Sequence, residues 1–309
     1  MIKIPPLPKR LQRPPKPAKT DGQGTEICVK SADLRHGDLL LSMGTAGHSQ
    51  WIRFLDGGSY SHVSYFDGRN KKLVEISTTG VIEEEPAVRI RGQSYTDVYR
   101  FCPTKRCLSS AQADSVTNAI RKYLGYPLAT HDLVICALLV VSRRVNLPGT
   151  LEDSIRIILS RAVKALREII LHDKREHLIC SELIYRGFWE ARKPGPIELL
   201  ILPQFPASLF RVPQVLAASP NPASPFSFRP KRGTENLMEE FAELYVAHKL
   251  GREHFLGPEH LGGIPDLSGR KLKTFLARDP VADYVTPKDL EDSQSLVEVG
   301  RACKKDYPS

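Results

Sequence analysis

Apolar and polar positions follow two different rhythms along this chain, and the change of rhythm falls near residue 105. Before it, short apolar runs and alternating stretches predict β-strands: Asp38–Ser42, Tyr60–Phe66, Leu73–Ser77, Val81–Glu84, Val88–Arg91 and Thr96–Phe101. Gly44–Gly47 reads as a loop and His48–Leu55 as a short helix stopped by Gly57 and Gly58. After residue 105 the apolar residues recur every three or four positions. Ala113, Val116, Ile120 and Leu124 mark one helix, which Ser109 or Ser110 can cap and Gly125 with Pro127 ends. Ile155, Ile158, Leu159, Ala162, Val163, Leu166 and Ile170 mark a second, over Leu151–Leu171. A third starts at Cys180 and runs through Ala191, and Thr234–Leu250 gives a fourth. The Ser219–Gly233 segment has the composition of a linker. No internal repeat is visible, and the sum is an α+β chain with a small antiparallel sheet packed against helices.

Composition refines this picture. Of the formal charge of +9, +5 sits in residues 1–25, which are rich in Pro and Lys and carry almost nothing to bury. They are expected to be a disordered or polyproline-like tail, and the stretch PPLPKR resembles a ligand for a Pro-binding partner domain. The basicity is therefore local, zinc-ligand spacing and aromatic RNA-binding signatures are absent, and nucleic acid is not expected as a partner. Cys28, Cys102, Cys107, Cys136, Cys180 and Cys303 lack a CxxC pairing, which predicts free thiols in a reducing compartment. The N-terminal stretch lacks the apolar core of a signal peptide. The longest apolar run, Leu133–Val141, is nine residues, against the roughly 20 a membrane span requires. A protein that is cytoplasmic, or exported without a cleavable signal, is expected.

Candidate chemistry starts in the hairpin. His62, Ser64 and Phe66 share one face of their strand, opposite Val63 and Tyr65. With Asp67–Asn70 as a four-residue loop, Phe66 pairs with Lys71 and His62 falls opposite Glu75. Any even loop length keeps the two on one face; Val63, Val74 and Ile76 then face the core. A carboxylate beside an imidazole orients the ring and favours its protonated form, as the third member of a catalytic triad does. Cys180 stands where the apolar Leu178-Ile179 meets a predicted helix, and the amides of a helix start favour a thiolate and can stabilise an oxyanion. A cysteine at a helix start with a histidine–carboxylate pair elsewhere, Cys180 with His62 and Glu75, fits nucleophilic catalysis. His177 is the competing base. His131 and Asp132 are expected in a loop, and the other cysteines are expected to be structural or incidental.

The segments His36-Gly-Asp-Leu-Leu-Leu, Ser61-His-Val-Ser-Tyr, Val74-Glu-Ile-Ser and Ile179-Cys-Ser-Glu-Leu-Ile-Tyr resemble the permuted branch of the NlpC-type papain-like enzymes. That branch includes the YiiX/YaeF-like proteins and is related to the lecithin:retinol acyltransferase family. Val285-Thr-Pro-Lys-Asp-Leu-Glu-Asp-Ser resembles a terminal motif of the YiiX-like group. The resemblance covers roughly residues 30–125, 175–205 and 280–293. It implies a circularly permuted papain-like fold, histidine strand first and cysteine helix last, with Cys180 as nucleophile, His62 as base and Glu75 as orienting acid. On it, residues 26–309 form one catalytic domain with insertions at about 127–175 and 206–279. The implied activity is a cofactor-free, metal-free cysteine hydrolase or acyltransferase acting on amide, ester or thioester bonds of acyl-lipid or acyl-peptide substrates. Peptidoglycan or peptide amide cleavage, in an exported effector, and a non-catalytic lipid or peptide receptor are the alternatives. The Leu133–Val141 run and the helix bearing Arg156, Lys164 and Arg167 fit either a lipid-facing lid at a membrane surface or ordinary core.

Overall fold

The computed structural model describes residues 6–103, 106–127, 131–143, 149–172, 177–192, 197, 199, 232–250 and 285–307. They separate into two compact units.

The larger unit comprises residues 7–128, 177–203 and 285–309 and holds one mixed seven-stranded sheet. Its elements in chain order are β1 (Cys28–Val29), β2 (Leu39–Gly44), α1 (Gly47–Asp56), β3 (His62–Asp67), β4 (Lys72–Ser77), β5 (Gly80–Glu84), α2 (Pro86–Gly92) and β6 (Gln93–Phe101). They are followed by α3 (Ser110–Arg121), then by α6 (Cys180–Ala191), α8 (Pro287–Glu291) and β7 (Leu296–Ala302). The strand order is β1-β7-β6-β2-β3-β4-β5, antiparallel throughout except for the parallel β1–β7 pair. The α+β class of the sequence reading stands, and the architecture is consistent with a papain-like fold. The sheet is larger than expected because β1 and β7 are too short or too polar to register as apolar runs: β7 carries Glu298, Gly300 and Arg301. Val88–Arg91, expected as a strand, is helical. Pro86 supplies a pre-set φ at the first helical position, and Glu85 stands extended before it.

The apolar residues sort as the strand period requires. Val63, Val74 and Ile76 are buried, as expected for one face of the hairpin. The other face is buried too. Phe66, Leu73, Leu40 and Val98 pack there with Ile90 of α2 and with Tyr307. The hairpin's polar residues are therefore interior groups that need partners, rather than a solvated stripe.

Residues 6–25, expected as a disordered tail, are bound to this unit. Leu7 is buried, Lys9–Leu11 form a turn of 3-10 helix, and Arg53 donates to the carbonyls of Arg13 and Pro14. Lys16 Nζ donates to Tyr60 Oη (2.6 Å), Tyr99 Oη (2.9 Å) and Glu298 Oε2 (2.8 Å), above both tyrosine rings. Next to it Asp97, fully buried, accepts from Tyr60 and from Arg301. Composition misreads this segment because its lysines are held by specific buried acids and aromatic faces, not by a core of its own.

The free-thiol reading is corrected as well. Cys28 is bonded to Cys303 and Cys102 to Cys107, and the buried Cys136 and Cys180 are in no disulfide. A separation of 275 residues gives no spacing signal, so the first pair could be found only once β1 and β7 lie side by side.

The smaller unit draws on residues 129–176 and 204–284 and contains α4 (His131–Arg143), α5 (Glu152–His172) and α7 (Arg232–Leu250). Of the expected 206–279 insertion, α7 alone lies within the described residues, and the Ser219–Gly233 linker is outside them up to residue 231. The apolar side of α5, Ile155 through Leu166 at helical spacing, is buried beside α4 and α7, and Val134–Val141 of α4 are buried with it. Thr234 Oγ1 donates to the buried Glu152 at 2.7 Å, and Arg167 pairs with Glu240. Of the two readings of α5, its apolar side is occupied by packing within the unit, as ordinary core requires. His131 and Asp132, expected in a loop, open α4; their side chains lie outside the described residues.

Candidate active site

β3 begins at His62, and the hairpin turn decides what faces it. Asp67 Oδ1 accepts from the amides of Arg69 and Asn70, an aspartate turn that keeps Asp67 in the strand. The loop is therefore Gly68–Lys71, with Lys71 in the left-handed region at φ 55°. Phe66 pairs with Leu73 and Tyr65 with Val74, two residues away from the expected register. The shift is even, so the faces are conserved. Glu75 extends this register to a place opposite Ser64 and reaches His62 diagonally.

Three side chains converge on one carboxylate oxygen. His62 Nε2 lies 2.9 Å from Glu75 Oε2, Ser64 Oγ donates to it at 2.8 Å, and Arg89 Nε forms an ion pair with it at 2.8 Å. Glu75 and Ser64 are fully buried, and the side chain of Arg89 remains 24 % exposed. The Cys180 side chain also lies near the imidazole, close enough to favour its charged form. Burial works against the imidazolium, and so does the nearby Arg89; Cys180 and Glu75 outweigh both and hold His62 above its ordinary 6.5. Burial likewise favours protonated Glu75, but His62, Arg89 and Ser64 outweigh it and hold the carboxyl below its ordinary 4.5.

Cys180 is the first residue of α6, and the preceding Ile179 has no side-chain oxygen to cap the helix. The first-turn amides are thus left pointing past the cysteine by the N-cap position. Glu182 turns back to accept from the Ile179 amide at 3.2 Å and pairs with Arg186, fixing the approach to the helix. His177, the competing base, is buried in the same approach.

A second element holds the strand start and the helix start in register. Ser181 Oγ donates to Val285 O at 2.6 Å. Thr286 and Asp289 exchange hydrogen bonds as a capping box for α8. The Lys288 amide donates to Asp56 at the end of α1, and Glu291 accepts from the Ser59 amide at 2.9 Å. Gly58 admits this approach: a Cβ there would sit 2.9 Å from Lys288 Cβ. The segment Val285–Glu291 therefore ties the neighbour of Cys180 to the turn that leads into His62.

All three residues singled out from the sequence, Cys180, His62 and Glu75, come together. Ser64 and Arg89 were missed. Ser64 could have been found from its parity with His62; Arg89 was hidden by reading α2 as a strand.

Fold and site define a class: an α+β protein in which a strand histidine links a carboxylate to a cysteine at a helix start. No family model matches the chain, and a comparison with curated proteins finds no match. Among solved structures it is similar to a metalloprotein, yiiX, from Escherichia coli O157:H7, at 14 % identity and a TM-score of 0.40, covering 85 % of this chain and 95 % of that one.

Proposed function

We propose that the protein is a papain-like cysteine hydrolase or acyltransferase of permuted order, with Cys180 as nucleophile, His62 as base and acid, and Glu75 as orienting acid. The observation that carries this reading is the imidazole hydrogen-bonded to the buried Glu75, with Cys180 near enough to favour its charged form. The Cys180 thiolate attacks an acyl carbonyl carbon, and the first-turn amides of α6 face the developing oxyanion. Imidazolium His62 gives its proton to the departing amine or alcohol as the carbonyl re-forms, leaving a thioester. A water or second acceptor then attacks the thioester, passes its proton to His62, and expels the Cys180 thiolate, which restores the starting thiolate–imidazolium pair. No metal or organic group takes part in these steps.

The substrate reading is an amide, ester or thioester acyl bond. With the apolar face of α5 buried in its own unit, the argument for lipid from that helix is withdrawn. Acyl-lipid and acyl-peptide amides, those of peptidoglycan included, remain as two substrate arms. The disulfides favour an oxidising compartment, hence export, over the cytoplasm. No described helix is long and apolar enough to cross a membrane. A receptor without catalysis has no use for an ionised pair buried against a thiol, which sets it second.

Wild type, Cys180→Ala, His62→Ala and Glu75→Gln should be incubated with total lipids and with peptidoglycan, and products read by mass spectrometry. We expect one arm to yield acyl products with wild type and none with the Cys180 or His62 variants. Glu75→Gln should keep about a hundredfold more residual rate than Cys180→Ala, as orienting acids contribute less than nucleophiles. Products that persist in Cys180→Ala would refute the nucleophile assignment.

A further inference from the structure

We propose that Arg89 is a positioning residue of this site, which holds Glu75 ionised and competes with His62 for it, and so sets the pH at which the imidazole releases its proton. The inference rests on the cysteine–histidine reading above and adds a regulator of it.

The geometry is specific. Arg89 Nε and His62 Nε2 address the same atom, Glu75 Oε2, from 2.8 and 2.9 Å. Ser64 Oγ fills a third direction, so a permanent cation, a titrating ring and a neutral hydroxyl share one oxygen. The Arg89 Nε atom is itself buried and makes no hydrogen bond of good geometry, so its contact with Glu75 is mainly charge on charge. α2 is the element that delivers it. Pro86 starts the helix, Ile90 is anchored in the core beside Phe66 and Leu73, and Arg89 is the residue before that anchor.

Two consequences follow from placing a permanent cation there. A carboxylate buried with a histidine alone loses its only positive partner whenever the ring is neutral, and burial then drives it to take up a proton. Arg89 keeps the carboxylate charged through that half of a reaction cycle. The same cation repels imidazolium across the shared oxygen, lowering the pH at which His62 can give up its proton. Burial and Arg89 push His62 one way, Cys180 and Glu75 the other, and Arg89 is the group in this balance that never titrates.

The test is a ring titration of histidine-labelled protein by NMR, with the His62 signal assigned by its loss in His62→Gln. Arg89→Met should move the His62 midpoint upward by about half a pH unit or more. Arg89→Lys, which keeps the charge, should stay close to wild type. Arg89→Gln serves as a second neutral variant should the Met variant not fold. An unchanged or lowered midpoint in the folded neutral variant would overturn the inference. The parent reading is checked separately: alkylation of Cys180 across pH should change between wild type and His62→Gln. If it does not, the cysteine–histidine reading fails whatever Arg89 does. If it does while the Arg89 variants leave the midpoint in place, only the role of Arg89 is lost.

Discussion

Glu75 and His62 answer to pH in opposite senses, and their shifts define a window. His62 is held above 6.5, so its contribution to stability is whole below that value and fades as pH rises through its folded-state pKa. Glu75 is held below 4.5, so its contribution is whole above that value and fades as pH falls through its folded-state pKa. Both are complete between pH 4.5 and 6.5. Thermal melts of wild type and His62→Ala/Glu75→Ala should therefore differ most in that window and converge toward both extremes. A gap that stays constant from pH 3 to 10 would show that the pair does not couple to folding. At this scale much was legible: a cysteine before a helix and a histidine on a strand can be read directly from residue order. Ser64 was within reach, since its parity with His62 holds in either register. Arg89 was not, because it needed the true secondary structure, which Pro86 sets against the apolar pattern.

At the scale of elements, the cysteine helix is placed by how closely α6 approaches α3. Gly187 permits this, since a Cβ there would lie 2.2 Å from Ile120 Cγ1 and 2.8 Å from its Cδ1. The contact is with the stem of a β-branched side chain in the core, which has little room to rotate away. Gly187→Ala should therefore destabilise the protein by about 1–3 kcal/mol despite the better helix propensity of alanine. It should also slow Cys180 alkylation, because pushing α6 off α3 moves the thiol from the imidazole. A variant as stable as wild type would mean the helices can separate without cost. Helices α3, α5, α6 and α7 were legible from their apolar spacing, α5 to within a residue of either end, whereas α2 was read as a strand. Which surface covers an apolar stripe was not, because a stripe that faces lipid and one that faces two other helices have the same period.

The whole molecule is closed by its own ends. Cys28–Cys303 links β1 to the residue after β7, and Lys16 reaches Glu298 of the same strand. A cross-link over 275 residues restricts the unfolded chain over nearly its full length, and Cys28→Ser/Cys303→Ser should lower stability by about 3–5 kcal/mol. Breaking Cys102–Cys107, which spans five residues, should cost clearly less. Equal losses would mean that local strain rather than loop closure governs both. None of this long-range pairing was visible in the sequence, since nothing local in residues 28 and 303 refers to the other.

The strand order has a consequence for how the protein is made. β7, formed by residues 296–302, sits between β1 and β6, two strands synthesised long before it. Until residue 302 has left the ribosome, β1 has no neighbour and one edge of β6 stays bare. Val285–Glu291, which aligns thiol and imidazole, also leaves the ribosome after the strand and the helix that it holds in register. The nascent chain thus carries an unfinished sheet and a thiol without its alignment until these residues have emerged.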